Sequence, residues 1–246
     1  MDQPEREENR IREAYARRKQ FVPSDRYSLA NSGNLSIEQE RERCLLHSLA
    51  KFGRVPLYDK RILDVGCGNG PLLFNLIRWG ARPENIFGMD LQEERIATAR
   101  ALLPNSVTLK SGSATRIDFS DQTFDLLFQS TVFSSIFDNA VRQQIANEML
   151  RVLKPDGCIV WYDFHVNNPL NPDVRGVKKE EIKRLFSHCD FDFHRITLMP
   201  PAARVLGRLS FMLCEMLASL KVCTTHYLVI ITKVSPSLMV VRSSKY

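Results

Sequence analysis

The stretch at residues 61–70, R-I-L-D-V-G-C-G-N-G, joins a short apolar run to three glycines at alternate positions. Ile62, Leu63 and Val65 form the continuous aliphatic run that is typical of a central parallel strand covered on both faces. The glycines allow a sharp turn and let a ligand lie against bare backbone. The stretch therefore predicts a strand that runs directly into a ligand-binding loop.

The sequence after this loop completes a strand-helix-strand unit. Pro71 suits the first turn of a helix, which we predict over residues 72–79. Residues 86–89 are predicted as a second strand, and Asp90 stands at its carboxyl end, about 20 residues past the last glycine. An acid in that position can hold the two hydroxyls of a ribose.

The glycine spacing decides between two classes of nucleotide ligand. The dinucleotide fingerprint G-x-G-x-x-G needs a glycine where this chain has Pro71, so a nicotinamide cofactor fits poorly. The pattern D-x-G-x-G-x-G at residues 64–70, followed by Asp90, instead resembles the S-adenosylmethionine site of class I methyltransferases. The resemblance extends over residues 60–233. The competing interpretation is a glycine-rich connection that binds no ligand.

The resemblance implies a Rossmann-like α/β fold with a seven-stranded, mostly parallel sheet whose last strand is antiparallel. It also implies S-adenosylmethionine as the cofactor, with the glycine loop under its methionyl end and Asp90 on its ribose. Ser113 replaces an acid that is common at the adenine in the family, and a hydroxyl can still pair with the base edge. The cofactor-binding residues implied are Asp64, Gly66, Cys67, Gly68, Gly70, Asp90, Leu91, Ser113, Ala114, Gln129 and Ser130.

Composition narrows the class of protein. A chain of 246 residues with 44% hydrophobic content can bury one full α/β core. Because it shows no membrane-spanning run and no apolar leader, we expect a cytoplasmic protein. Its six cysteines lack zinc spacing, and the region after strand four lacks extra carboxylates, so we expect no metal. The net charge of +6 is spread among interleaved acids, and the Asn-Pro-Pro-Tyr motif of DNA-base methyltransferases is absent, so no DNA partner is expected.

The predicted organisation has three parts. Residues 1–55 form a helical extension or cap, residues 56–234 the methyltransferase domain, and residues 235–246 a tail. The extension holds a charged helix over residues 4–20, a loop, and a second helix that starts at an N-cap at Ser36 and ends at Gly53. In the family this region often folds over the cofactor, so Tyr27 is a candidate acceptor contact.

Hydrophobic periodicity and turn residues place the remaining elements. Predicted strands lie at residues 107–109, 124–128, 158–164, 191–198 and 225–232; predicted helices lie at 93–103, 139–153, 178–189 and 202–220; a turn lies at 154–157. The last strand inserts antiparallel between the two before it, as the resemblance implies.

The loop that leaves strand five is the predicted acceptor pocket, because ligands of open α/β sheets bind beyond the carboxyl ends of strands. His165 has the intrinsic pKa of a general base for an oxygen acceptor, and Asp163 is the second candidate. Asn167, Asn168 and Arg175 are candidate acceptor contacts. The alternatives are that His165 is an exposed polar residue and that Asp163 only fixes the loop.

Residues 202–220 separate strands six and seven and show one apolar face at helical spacing. Four roles stay open for this helix: internal packing, a cap on the acceptor pocket, a dimer face and peripheral membrane contact. For the whole chain, we expect methyl transfer from S-adenosylmethionine to a small-molecule or glycan acceptor at oxygen. The alternatives are an RNA or protein methyltransferase and a module that binds the cofactor without transfer.

Overall fold

The computed structural model describes residues 2–23, 25–168, 171–221 and 223–234. In this part of the chain, one sheet has the strand order β3-β2-β1-β4-β5-β7-β6. Its strands are β1 (Ile62–Val65), β2 (Ile86–Asp90), β3 (Thr108–Ser111), β4 (Phe124–Ser130), β5 (Leu153–Phe164), β6 (Cys189–Leu198) and β7 (Thr224–Lys233). Strand β7 runs antiparallel to β5 and β6, and the other pairs are parallel. The predicted Rossmann-like α/β fold is confirmed.

Helices cover both faces of the sheet. They are α1 (Gln3–Phe21), α2 (Ser32–Lys51), α3 (Pro71–Arg78), α4 (Glu93–Leu102), α5 (Asn139–Val152), α6 (Lys179–Leu185), α7 (Pro200–Leu209) and α8 (Phe211–Ser219). Helices α5 and α6 pack on one face, around the fully buried Trp161 and Phe186. Helices α2, α3 and α4 pack on the other face. Strand β1 is buried at every position, as its aliphatic run predicts.

Three predicted boundaries are wrong, each for a local reason. Helix α2 begins at Ser32 because the side chain of Asn31 accepts the first free backbone N–H groups, whereas Ser36 donates to Glu215 at 2.7 Å. The turn predicted at 154–157 lies inside β5, where the pairing with β4 is irregular. Helix α6 ends at Leu185, because residue 189 already belongs to β6.

The single helix predicted over residues 202–220 is also wrong. It is two helices, α7 and α8, that meet at Ser210, whose extended backbone ends the first and whose hydroxyl caps the second by accepting Leu213 N–H at 3.3 Å. The side packed inward carries small residues, Ala203 and Gly207 on α7 with Cys214 and Ala218 on α8. The larger apolar side chains of the predicted face point mainly to solvent.

A contact between two glycines explains this orientation. Gly33 at the start of α2 lies directly against α7, and a Cβ at Gly33 would overlap the carbonyl oxygen of Ala203. A Cβ at Gly207 would in turn overlap the backbone nitrogen of Gly33. Because the two backbones meet this closely, only small residues fit between the helices.

Replacing Gly207 by alanine should therefore destabilise the protein by about 1–3 kcal/mol, the usual cost of overpacking. Urea unfolding followed by circular dichroism measures this change. Arg208→Ala is the matched control, because its side chain is exposed one residue away, and its effect should stay within about 0.5 kcal/mol. Equal stability of the two variants would contradict the close approach.

Helix α1 is held to the domain by polar contacts. Glu7 accepts the backbone N–H of Phe137, and Arg10 donates to the carbonyl oxygen of Ser135. Although burial opposes its ionisation, the hydrogen bonds from Arg10 and Phe137 hold the pKa of Glu7 below its usual range. The helix predicted at residues 4–20 thus exists, and it packs on the domain.

Two further predictions concern organisation. The division between residues 55 and 56 stays a prediction, and the tail at 235–246 lies outside the described residues. Each helix within the described ranges is too short or too polar to cross a membrane. The cytoplasmic location stays a prediction.

Candidate active site

A cavity of about 440 Å³ opens at the carboxyl ends of β1, β2 and β4, beneath α1. This volume falls within the range of about 300–1,000 Å³ that is usual for small-molecule sites. The position is the one where open α/β sheets bind ligands, beside the point at which the strand order reverses. The sheet topology therefore places the glycine loop in the wall of this cavity.

The glycine loop has a backbone that only glycine adopts easily. Gly66, Gly68 and Gly70 have φ angles of 77°, 56° and 84°. The N–H groups of Gly66 and Cys67 both donate to the carbonyl oxygen of Met89, at 2.8 and 2.9 Å. This pair of bonds fixes the loop against the end of β2. A Cβ at Gly66 would overlap Cγ2 of Val132, so no side chain fits at this position.

Asp90 connects the loop to the strand that carries it. Its Oδ2 accepts the N–H of Gly68 at 2.9 Å, and its Oδ1 accepts the N–H of Gln92 at 2.9 Å. The side chain is buried but lines the cavity. Each carboxylate oxygen has a second lone pair, so the same group can still accept hydrogen bonds from a ligand.

Two buried polar atoms of the lining have no hydrogen-bond partner among the described residues. They are Oδ1 of Asp64 and Nε2 of Gln129. Burial, with the nearby Asp90 carboxylate, raises the pKa of Asp64 well above its usual value, while Arg41 opposes this shift. A buried acceptor and a buried donor left unpaired are costly, so both atoms indicate contacts that a ligand would complete.

Ten of the eleven predicted cofactor residues line the cavity. They are Asp64, Gly66, Cys67, Gly68, Asp90, Leu91, Ser113, Ala114, Gln129 and Ser130. Gly70 is outside the lining and forms the N-cap of α3. The Ser113 hydroxyl lies 2.7 Å from that of Thr115 and accepts the Thr115 N–H at 3.2 Å. Their roles in ligand binding stay predictions.

The N-terminal helices supply a second part of the lining that the sequence analysis missed. Glu7, Glu8 and Arg18 of α1 and Arg41 of α2 face the cavity, together with the predicted Tyr27. The sequence analysis predicted only a charged helix over residues 4–20 and assigned none of its charged side chains to a site. One signal for these side chains was available in the sequence: Glu7 stands three residues before Arg10. The two residues form an ion pair at 2.8 Å.

His165 lies outside the main cavity lining. Its buried ring packs on Tyr227 with centroids 4.4 Å apart, and its Nε2 has no partner among the described residues. Burial lowers the pKa of His165, and Arg195 and Lys178 lower it further. The residue follows β5, and its ring packs against Tyr227 of β7, the strand beside β5. The base assignment stays a prediction.

Asp163 lies behind the cavity, and none of its side chain is exposed. Its Oδ2 accepts the N–H of Ser134 at 3.0 Å and its Oδ1 that of Phe164 at 2.8 Å. Burial raises its pKa to about 6, although these hydrogen bonds and Arg142 favour the ionised form. The observed contacts fix the turn at Phe133–Ser135, and Ser135 faces the cavity.

The predicted acceptor loop borders the cavity without lining it. Asn167 accepts the N–H of Gly176 at 3.0 Å, and Arg175 pairs with Glu181 at 3.0 Å. Asn168 is likewise outside the lining. A small cleft lies between α1 and this loop, and it shares Ile11, Tyr15, Arg18 and Ser135 with the main cavity; its further lining is Ala14, Asn171, Asp173 and Val174. The acceptor roles of Asn167, Asn168 and Arg175 stay predictions.

Within the described ranges, no three His, Cys, Asp or Glu side chains are grouped where they would hold a metal ion. The polar groups of the cavity are carboxylates, arginines, amides and hydroxyls. These groups suit an organic ligand that carries an amine and hydroxyls.

Residues 62–157 match the methyltransferase domain family. The demethylmenaquinone methyltransferase of Lactobacillus johnsonii is 28% identical over 46% of this chain and 46% of that protein. The norajmaline N-methyltransferase of Rauvolfia serpentina is 28% identical over 67% of this chain and 57% of that protein. An uncharacterized protein of Haemophilus influenzae is matched over 59% of its length. This chain thus spans about half the length of these three relatives.

Among solved structures, phosphoethanolamine N-methyltransferase 1 of Haemonchus contortus, in complex with phosphoethanolamine and S-adenosylhomocysteine, has the same fold. The TM-score is 0.62 at 16% identity, over 96% of this chain and 51% of that chain. This likeness concerns the fold alone. The matched domain identifies residues 62–157 as a methyltransferase domain, and the fold around them is that of the class I S-adenosylmethionine-dependent methyltransferases.

Proposed function

We propose that this protein transfers a methyl group from S-adenosylmethionine to a small-molecule acceptor bound beneath α1. The observation that carries the proposal is one cavity that joins the glycine loop and Asp90 to two unpartnered buried atoms, on Asp64 and Gln129. A ligand with an ammonium group, a ribose and an apolar stem would satisfy these groups together.

In this proposal the lining residues have separate roles. Asp64 would bind the ammonium group, whose positive charge would favour the ionised carboxylate despite its burial. Asp90 would bind the ribose hydroxyls, and the bare backbone at Gly66 and Gly68 allows close approach. When bound, the cofactor supplies an electrophilic methyl group, so the protein chiefly aligns the acceptor and excludes water. Helix α1 covers the cavity for this second task.

The part of the lining contributed by the helices and the sheet face favours a compact, largely apolar acceptor. Its apolar and aromatic members are Ile11, Tyr15, Tyr27, Leu45, Leu72, Phe128, Val160 and Tyr162. Two relatives are named for a quinone and an alkaloid, which are ring compounds of this kind. A site under a helix also suits such a molecule better than an RNA or a folded protein. Oxygen as the reacting atom and a glycan as the acceptor draw no support from this lining.

The test is release of S-adenosylhomocysteine during incubation with S-adenosylmethionine and a panel of hydroquinones, phenols and aromatic amines. We expect acceptor-dependent release with at least one of these classes. Cofactor binding by calorimetry without turnover on any acceptor would favour a module that binds the cofactor and does not transfer.

His165 separates two views of the chemistry. A direct base would contact the acceptor, whereas the observed ring packs on Tyr227 outside the cavity. We therefore expect His165→Ala to keep turnover within about tenfold of the parent, below the 10²-fold or greater loss typical of a general base. The pH profile of kcat measures this, with His188→Ala as a control at another histidine. Loss of at least about 10²-fold, with a flattened acid limb, would establish His165 as the base.

A further inference from the structure

A row of large apolar side chains on α7 and α8 has no partner among the described residues. Val205, Leu209, Met212, Met216 and Leu220 are 53–80% exposed. Val205 and Leu209 lie one turn apart on α7, and Met212, Met216 and Leu220 follow one another at intervals of four along α8 and its C-cap; we name this set the apolar ridge. The opposite side of the pair is filled by the small residues that face α2 and β6.

Such a concentration of exposed apolar side chains marks an interaction surface. Phe74 on α3 and Leu102 on α4, by contrast, are each the one large apolar side chain exposed on their helix. The close contact between Gly33 and Gly207 fixes the orientation of α7, so the ridge cannot turn inward without separating the helices. The exposure therefore follows from the fold.

The border of the ridge is basic. Arg208 and Lys221 are exposed on the helix pair, and Arg204 adds a third cation. The acid of the pair, Glu215, is directed back to α2, where it binds Ser36 at 2.7 Å and Arg43 at 2.6 Å. The ridge thus combines apolar side chains with an excess of positive charge, the combination found in helices that lie in the interface of an anionic membrane.

The ridge is also connected to the mouth of the cavity. The Arg204 guanidinium lies 5.5 Å from the centroid of the Tyr27 ring, and Tyr27 accepts a hydrogen bond from Arg18. Both Tyr27 and Arg18 line the cavity. Leu29, two residues past Tyr27, is another exposed large apolar side chain. A surface that held the ridge would therefore lie next to the cavity opening.

We propose that the apolar ridge docks on the surface of a bilayer that contains anionic lipid, and that this contact places the cavity mouth where an apolar acceptor can enter from the membrane. Entry of the acceptor from the membrane rests on the proposed function, whereas docking on the bilayer does not. A two-fold dimer through the same face would bring two basic borders together, whereas anionic lipid headgroups neutralise them. The charge around the ridge therefore selects the bilayer over a second copy.

The experiment is co-sedimentation of the full chain with vesicles of phosphatidylcholine alone or mixed with phosphatidylglycerol. We expect binding to the mixed vesicles that weakens as salt is added, because the basic border is exposed. Leu209→Glu combined with Met212→Glu should lower the bound-to-free ratio by at least about tenfold, since both side chains would enter the interface. Arg208→Glu combined with Lys221→Glu should lower binding to the mixed vesicles by a similar factor.

The matched control is Phe74→Glu combined with Leu102→Glu, which makes the same chemical change at two exposed apolar residues away from the ridge. Its vesicle binding should equal that of the parent. Absence of vesicle binding by the parent, or equal binding by the ridge and control variants, would overturn the proposal. Light scattering that shows a dimer dissolved by the ridge substitutions would assign the surface to a second copy and would also overturn it.

The cofactor is left out of the vesicle measurement, so its result is independent of methyl transfer. A protein that binds vesicles but never releases S-adenosylhomocysteine would keep the docking surface and lose the proposed function. A protein that transfers methyl groups but never binds vesicles would keep the function and lose the docking surface.

Discussion

Replacing Asp90 by alanine should weaken S-adenosylmethionine binding by about 10²-fold, measured by calorimetry. The carboxylate accepts the N–H of Gly68 in the glycine loop, and the proposed function gives it a second task, binding the ribose. A hydrogen bond to a charged group contributes about 1.5–3 kcal/mol, and each 1.4 kcal/mol corresponds to a factor of ten in affinity. Losing a charged acceptor and loosening the loop together gives the expected factor.

Asp90→Asn and Asp118→Ala are the controls. The amide of asparagine keeps one acceptor but directs an NH₂ at a backbone N–H, so its affinity should fall between those of the parent and Asp90→Ala. Asp118 lies on the surface in an ion pair with Lys110, and its replacement should leave cofactor binding unchanged. Unchanged affinity in Asp90→Ala would remove Asp90 from the cofactor site and would count against the whole assignment.

Replacing Glu181 by alanine should destabilise the protein by about 3–5 kcal/mol, the usual cost of breaking a buried ion pair. Its partner Arg142 is completely buried on α5, donates from Nε to the carbonyl oxygen of Ile136 at 2.6 Å, and pairs with Glu181. Without that carboxylate, the guanidinium would stay charged in an apolar core. Denaturant unfolding at pH 7 measures the loss.

The double variant Arg142→Leu and Glu181→Leu tests the cause. Removing both charges should recover most of the stability lost by Glu181→Ala, because no unpaired charge remains in the core and Arg175, the other partner of Glu181, reaches solvent. Ile136 lines the cavity, so the double variant should also bind cofactor less tightly than the parent if Arg142 positions its backbone. A loss below about 1 kcal/mol for Glu181→Ala would instead show that solvent reaches Arg142.

The elements that sequence analysis predicted best have local causes. The apolar run of β1, the glycines that follow it and Asp90 lie within about 30 residues of one another, as in other strand-helix-strand units. Their spacing alone determines the ligand edge of the sheet. The position of α1 could not be found in this way, because Glu7 and Arg10 bind backbone groups of Phe137 and Ser135, more than a hundred residues away.

Helices α7 and α8 show where periodicity gives the wrong orientation. The large apolar residues define a face, and burial of that face is the ordinary expectation. Here the backbones of α2 and α7 meet at Gly33 and Gly207, so the side of α7 that carries small residues packs inward. A single sequence does not reveal that two distant glycines touch. His165, the predicted base, lies outside the cavity lining for a related reason. Its place directly after β5 indicates the sheet edge but not the direction of its ring.

The contact between α2 and α7 joins parts of the chain that are synthesised far apart in time. Asn34 accepts a hydrogen bond from Arg204 across 170 residues of sequence, next to the paired glycines. A chain that emerges from the ribosome exposes β1, β2 and β4 long before α7 exists, so the cofactor half of the site can assemble while the Tyr27 side still lacks Arg204. The entropy cost of closing so long a loop is therefore incurred late in folding. Nascent chains that end before residue 200 would therefore carry a glycine loop without a finished cavity mouth.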